Sequence, residues 1–412
     1  MSHLCSPNDA TAGDGSARAG WRLSSIGQEC DIVNGGTPKS NVSSYWDGGI
    51  QWITPAEMGK RISPFVAETK RTITLSGLQN SSAKELPPNS VILSSRAPIG
   101  HLLINTVAMA TNQGCKGLVP RKNLYYKYLF YYLTSIVGLL NDLGVGTTFK
   151  ELSGGKLKEV RIPLPSLEEQ KRIVAILDQA FDGIAKSKAN SERSLEAVRQ
   201  LFDINLGSIF DLRGAGWSEK TIDDACTKIT DGEHIRPKIT TSGVPFLSSK
   251  DVLHDDVSFV SPLFVSEADA CKFRKRCNPE KGDILVVSRG ASVGRTCFVK
   301  TSRVFCLLGS VILLKVRPSM SPKYLTYALK SPIIRAQLAT ISEASAQQAI
   351  YLRDIKLLKI WSPNLVDQES IVAKLDELDA EIRRTELIYQ QRLAAHEELR
   401  QSLLHGAFTG KL

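Results

Sequence analysis

The sequence predicts an α+β protein in which two similar mixed domains follow one another, each continued by a long helix, with the two helices pairing as a coiled coil. Three observations predict this. The chain of 412 residues repeats itself at a constant offset of 198, so that Gln170 and the run Ile173-Val174-Ala175-Ile176-Leu177-Asp178 return as Gln368 and Ile371-Val372-Ala373-Lys374-Leu375-Asp376. Short β-branched runs bounded by Gly, Pro, Asn and Ser alternate with helical stretches upstream of each repeated segment. Positive charge is confined to those upstream stretches.

Residues 1–20, rich in Gly, Ala, Ser and Asp, show no periodicity and read as a disordered tail. The first domain occupies 21–165. It opens at Trp21 and carries strand-like runs at Ile50–Thr54 and Val91–Ser94 with a helical pattern at Tyr125–Leu133. A helical segment follows at 166–212, just after Pro165. The second domain, 213–363, opens at Trp217 and repeats the order with runs at Ile284–Val287 and Val311–Val316 and a helical pattern at Lys323–Lys330. The last helical segment is 364–412, just after Pro363. The offset also carries Ile184 onto Ile382, Leu195 onto Leu393 and Phe210 onto Phe408. Apolar positions Ile173, Leu177 and Ile184, and Ile371, Leu375, Leu378 and Ile382, fall on the three-four spacing of a coiled-coil seam. Some 40 helical residues at 1.5 Å each span roughly 60 Å, about the length of 17 or 18 base pairs.

The whole chain carries a net charge of +10. By segment the net charges are +6 over 1–165, −2 over 166–212, +9 over 213–363 and −3 over 364–412. Two basic domains separated by acidic helices suit an acidic partner touched at two places. The eight cysteines include no C-x-x-C pair, which argues against a zinc site or a disulfide framework and for buried free thiols. No run reaches the roughly 18 apolar residues of a membrane span, and the N-terminus does not read as a secretory signal. A cytoplasmic protein without membrane contact is expected.

Catalytic signatures were sought and none survives. Gly144-Val145-Gly146-Thr147-Thr148 lacks the spacing and the lysine of a nucleotide-cradling loop. There is no Asn/Asp-Pro-Pro-aromatic motif of an adenine methyltransferase. Gly290-Ala291-Ser292-Val293-Gly294 satisfies the G-x-S-x-G pattern, but a strand-like Arg295–Val299 follows where a nucleophile elbow needs a helix. A hairpin turn is expected instead. His396-Glu397 is followed by Arg400 rather than a second histidine, so no metal site is expected there.

Four passages together with the repeat make the sequence resemble the specificity subunits of type I restriction-modification systems. They are Ile32–Pro38 with Ile50–Thr54; Ser94–Gly100 with Thr111–Gly114; Ile162–Pro165 with Glu169-Gln170; and the C-terminal Leu403–Leu412. The resemblance covers roughly residues 21–412. It implies two target-recognition domains, with the two long helices packed antiparallel. It also implies double-stranded DNA as ligand, two methyltransferase subunits and motor-nuclease subunits as partners, and a chain that supplies only the address. S-adenosylmethionine and ATP would sit on those partners, with no cofactor or metal on this chain. The second copy departs from the pattern with Pro363-Asn364-Leu365-Val366-Asp367-Gln368 before its helix. A stand-alone two-domain DNA-binding regulator is the alternative, and a scaffold built on the coiled coil would leave the basic domains unexplained.

Ser95-Arg96 and Ser288-Arg289 each end an apolar strand before a glycine turn, so both arginines are expected at a domain edge facing DNA, with an internal salt bridge as the plainer alternative. Thr37, Lys39 and Ser40 in the first domain, and Asp231, His234 and Arg236 in the second, lie in polar loops that suit either DNA contact or simple turn chemistry. Lys272, Arg274, Lys275 and Arg276 form a basic run that would lie along phosphates if functional. The seam residues Ile173, Leu177, Ile184, Ile371, Leu375, Leu378 and Ile382 are expected to pair the helices and to dock partner helices.

Overall fold

The computed structural model describes residues 20–96, 98–146, 150–211, 216–235, 237–345 and 348–412. The tail read at 1–20, apart from Gly20, and the candidate Arg236 lie outside the described residues. Contacts group the chain into two compact units, one running through Asn190 and taking in Arg392–Leu412, the other spanning Ser191–Gln391. The four consecutive segments of the sequence thus become two units, because each long helix is shared between them.

In the first unit an antiparallel sheet is ordered Cys30–Asn34, Cys115–Pro120, Val91–Ser94 and Leu102–Asn105, with Phe65–Val66 added in parallel at its edge. Val91, Ile92, Leu93 and Leu118 are fully buried, which is why these runs read as continuous apolar segments rather than alternating ones. A second sheet pairs Trp46–Ile53 with Arg71–Ile73 and, in parallel, with Met109–Thr111. Arg22–Ser25 pairs with Arg161–Leu164, tying the start of the domain to its end.

The second unit repeats this plan. Its main sheet is Cys226–Asp231, Val311–Val316, Ile284–Val287 and Thr296–Phe298, and its smaller one is Leu263–Val265, Val244–Leu247 and Cys306–Leu307. Ser218–Thr221 closes onto Lys359–Ser362. Thr296–Phe298 pairs antiparallel with Ile284–Val287, so Gly290–Gly294 is a hairpin turn as its flanking strands predict. Gly290 and Gly294 adopt φ of 98° and 82°, open to glycine at no steric cost.

The long helices run Leu167–Asp211 and Leu365–Phe408. Ser166 Oγ accepts from Glu169 N–H at 3.3 Å and Asn364 Oδ1 from Asp367 N–H at 3.0 Å, so both starts are capped. The departing sequence Pro363–Gln368 therefore begins its helix in the same way as the first copy. Behind each cap lies a fully buried glutamine. Gln170 accepts from Tyr125 N–H and donates to the carbonyls of Asn123 and Pro165; Gln368 accepts from Ser321 N–H and donates to Ser362 Oγ and the Pro363 carbonyl.

Each unit uses the start of one long helix and the end of the other. In the first, Ile173, Val174 and Leu177 share a core with Leu404, Ala407 and the domain's Tyr128 and Leu129. Arg172 donates to the Leu412 carbonyl and Ser187 meets His396 at 3.2 Å, so the segments run antiparallel. In the second, Leu206 joins Val372, Leu375, Tyr324 and Leu325, and Arg199 pairs with Glu386 at 2.8 Å. The aromatic contacts repeat too, Phe408 edge-on to Tyr128 at 5.2 Å and Phe210 against Tyr324 at 5.3 Å. No described helix is long and apolar enough to cross a membrane.

Six of the described cysteines are buried and Cys271 is exposed, a departure from the expectation of uniformly buried thiols. Cys5 lies outside the described residues.

Candidate nucleic-acid interface

The two Ser-Arg pairs stand on one backbone frame built twice. Ser95 N–H donates to the Gly114 carbonyl at 2.7 Å while its own carbonyl accepts from Leu152 N–H at 2.9 Å. Ser288 N–H donates to the Ser310 carbonyl at 2.9 Å and its carbonyl accepts from Ile350 N–H at 2.9 Å. Both serines, which stand with their arginines among the residues expected to face DNA, are buried. They fix the chain direction so that the next residue, Arg96 or Arg289, leaves the sheet into solvent. Gly100 and Gly294 then return the chain through positive φ.

A close backbone approach completes each frame. A Cβ on Gly35 would stand 1.9 Å from the Asn112 carbonyl oxygen, and one on Gly232 would stand 2.2 Å from that of Leu307. The register makes Asn34 and Asp231 counterparts, opposite Lys116 and Ile312 respectively. Thr37 and His234 each stand three residues further along.

The side chains hung on this shared frame differ. In the first unit Arg96 pairs with Glu151 at 2.9 Å, both ends about half exposed. Lys116 is buried beside them, and that burial pulls its ammonium below the ordinary lysine range, with the Glu151 carboxylate opposing the shift. Thr37 accepts from Asn112 Nδ2 at 2.8 Å and donates to Gln113. Lys39 and Ser40 are exposed, and the Lys39 carbonyl holds Trp46 Nε1 at 3.2 Å.

In the second unit the residue opposite Arg289 is Ala349, where Glu151 stands opposite Arg96. Arg289 has no acidic partner within ion-pair distance among the described residues. Its guanidinium lies 6.0 Å from the Tyr351 ring, which Arg353 approaches from 5.4 Å. These three line a concavity of about 630 Å³ together with Asp231, His234 and Ser288. His234 meets Asp231 at 2.8 Å, and Arg276, from the end of the helix Glu267–Arg276, ion-pairs with the same carboxylate. A side chain on Gly309 would collide with the His234 ring.

The structure thus gathers Asp231, His234, Arg276 and Arg289 at one edge, and Thr37 and Arg96 at the equivalent edge of the other unit. Lys272 and Lys275 are exposed on their helix, while Arg274 turns to Asn278 at 2.7 Å. Glu151, Lys116, Tyr351 and Arg353 were not singled out from sequence. A signal for one of them is present in the sequence, since Tyr351 precedes a short helix at the same point of the repeat as Ser153.

Of the seam residues, Ile173, Leu177, Leu375 and Ile382 are buried, and Ile184, Ile371 and Leu378 half-buried. Ile173, Leu177 and Leu375 face a domain as well as the other helix.

Comparison with known proteins places these features in company. A family model described as the type I restriction modification DNA specificity domain matches residues 19–197 and again 214–391. The chain is 33% identical over 180 residues to the MjaIX type I restriction enzyme specificity subunit of Methanocaldococcus jannaschii, covering 43% of this chain and 41% of that protein. It is 32% identical over 174 residues to the EcoR124I/EcoR124II specificity subunit of Escherichia coli, covering 40% and 42%. These alignments span well under half of either relative. A solved chain from work on complex assembly and conformational transition of a type I restriction-modification system superposes with a TM-score of 0.78 at 22% identity, covering 97% of this chain and all of that one. At that identity the likeness speaks for the fold.

Proposed function

The chain belongs to the type I restriction modification DNA specificity family, and from that premise we propose that it is the DNA-recognition subunit of a restriction-modification complex, reading a bipartite target in double-stranded DNA. The observation that carries the reading is the frame built twice with different side chains. One backbone scaffold delivers an arginine to the edge of each unit, while its neighbours are Glu151 and Lys116 in one and Tyr351, Arg353 and His234 in the other. Equal frames with unequal neighbours suit two different half-sites, since backbone contacts position a protein and side chains at base edges specify.

On this reading the chain supplies the address and no chemistry. Two methyltransferase subunits would bring S-adenosylmethionine, and motor-nuclease subunits ATP. The sequence supports that division, with no nucleotide-cradling loop and no methyltransferase motif at the positions where partial matches occur. Arg96, Arg289, Thr37, Lys39, Ser40, His234 and Arg236 remain the proposed DNA-facing set, to which Arg353 is added.

Selection from a pool of random duplexes by the full chain tests the reading. Enrichment of two short specific parts at one fixed spacing is expected. A single contiguous motif would point to a stand-alone regulator, and no enrichment at all would overturn sequence recognition by this chain alone.

A further inference from the structure

Resting on the reading that the chain binds DNA, we propose that its two units hold the duplex unequally, the second through a phosphate site centred on Arg289 with Arg353 and Arg276 at its rim, the first with its equivalent arginine already engaged. The repeat itself supplies the control, because each position in one unit has a counterpart on the same backbone frame in the other.

Three differences point the same way. The carboxylate of Glu151 neutralises Arg96 at 2.9 Å, whereas the residue bridged to Arg289 is Ala349, which carries no charge. The position after the shared buried leucine or isoleucine is Ser153 in the first unit and Tyr351 in the second, whose ring both Arg289 and Arg353 flank. Arg353 also meets Asp354 at 3.3 Å, whereas the planar guanidinium of Arg289, held near an aromatic face, keeps its donor fork oriented for a phosphate. Finally, the helix that follows the edge strand of the smaller sheet is the uncharged Leu75–Gln79 in the first unit and Glu267–Arg276 in the second, whose last turn carries Arg274, Lys275 and Arg276. Arg276 reaches the rim of the concavity through Asp231. Arg276 and His234 both meet that one carboxylate and Arg353 meets Asp354, so the positive charge left without a carboxylate at the rim is that of Arg289.

The concavity of about 630 Å³ is wide enough to admit a phosphate flanked by two guanidinium groups. Each phosphate neutralised by the protein releases condensed counterions, so the contact is read from salt dependence and needs no knowledge of the target sequence.

The test is binding of the full-length chain to an arbitrary-sequence duplex across a salt titration. Arg289→Ala is expected to lower the slope of log K against log salt by about 0.9, while Arg289→Lys keeps it. Arg96→Ala should lower the slope by clearly less than Arg289→Ala does, and Glu151→Gln, which releases Arg96, should steepen it. Melting temperatures equal to wild type separate lost contact from lost fold. A slope lowered as much by Arg96→Ala as by Arg289→Ala, or left untouched by Arg289→Ala, overturns the inference. Absence of DNA binding by the wild-type chain overturns both the inference and the reading beneath it. The unequal slopes in a chain that directs no methylation support the inference and defeat the restriction-system assignment.

Discussion

Gln170 and Gln368 show how much one side chain decides here. Each sits fully buried behind a helix start and satisfies one backbone N–H while donating to two oxygens, so truncation removes three hydrogen bonds at once. Gln170→Ala is expected to cost roughly 1–3 kcal/mol in chemical denaturation, with a loss below about 0.5 kcal/mol contradicting the stapling role. The thiols make a second residue-scale prediction. Burial pushes Cys30, Cys115, Cys226, Cys277 and Cys297 up to about 12 and Cys306 to about 11, against an ordinary value of 9.0. A folded value above the unfolded one means their contribution to stability is full below pH 9 and drains as pH rises towards 12. In the native protein at pH 8, of these seven thiols Cys271 alone should react promptly with a thiol reagent, and rapid labelling of Cys115 would contradict its burial. Arg96 and Arg289 were legible because Ser-Arg before a glycine turn is a local pattern. Their neighbours were not, because Glu151 and Ala349 are distant in sequence and meet the arginines only through the fold.

At the scale of elements, the long helices were legible almost to the residue, since a three-four apolar spacing repeated at one offset is a long-range signal that no single position can blur. Val91–Ser94, Ile284–Val287 and Val311–Val316 were equally plain as buried runs, whereas two- and three-residue strands such as Phe65–Val66 and Cys306–Leu307 are too short to show a period. What periodicity could not distinguish is which apolar face a helix position serves. Leu375 lies in the core of the second unit with Tyr324, Leu325 and Ile360, while Leu378 is half-buried. Leu375→Ala should therefore destabilise that unit by about 2–5 kcal/mol whatever partners are present, and a milder loss that appears only as failed assembly would return Leu375 to a docking role. Asn364→Ala removes the cap of the second long helix and should cost about 1 kcal/mol in the same unfolding experiment.

At the scale of the whole molecule, the repeat explains the economy of the chain. A frame built once and used twice is free to change its rim side chains in either copy without disturbing the core that supports them, which suits the proposed discrimination between short DNA sequences. The charge pattern agrees, with the basic segments on the domains and the acidic ones on the helices. Mapping DNA methylation across the genome of the native host, in the intact strain, a deletion of this gene and the complemented deletion, tests the account most directly. It predicts that methylation at one motif, made of two short specific parts with a fixed gap, disappears with the gene and returns with it. Methylation unchanged by the deletion, with the methyltransferase partner shown to be expressed, would contradict it.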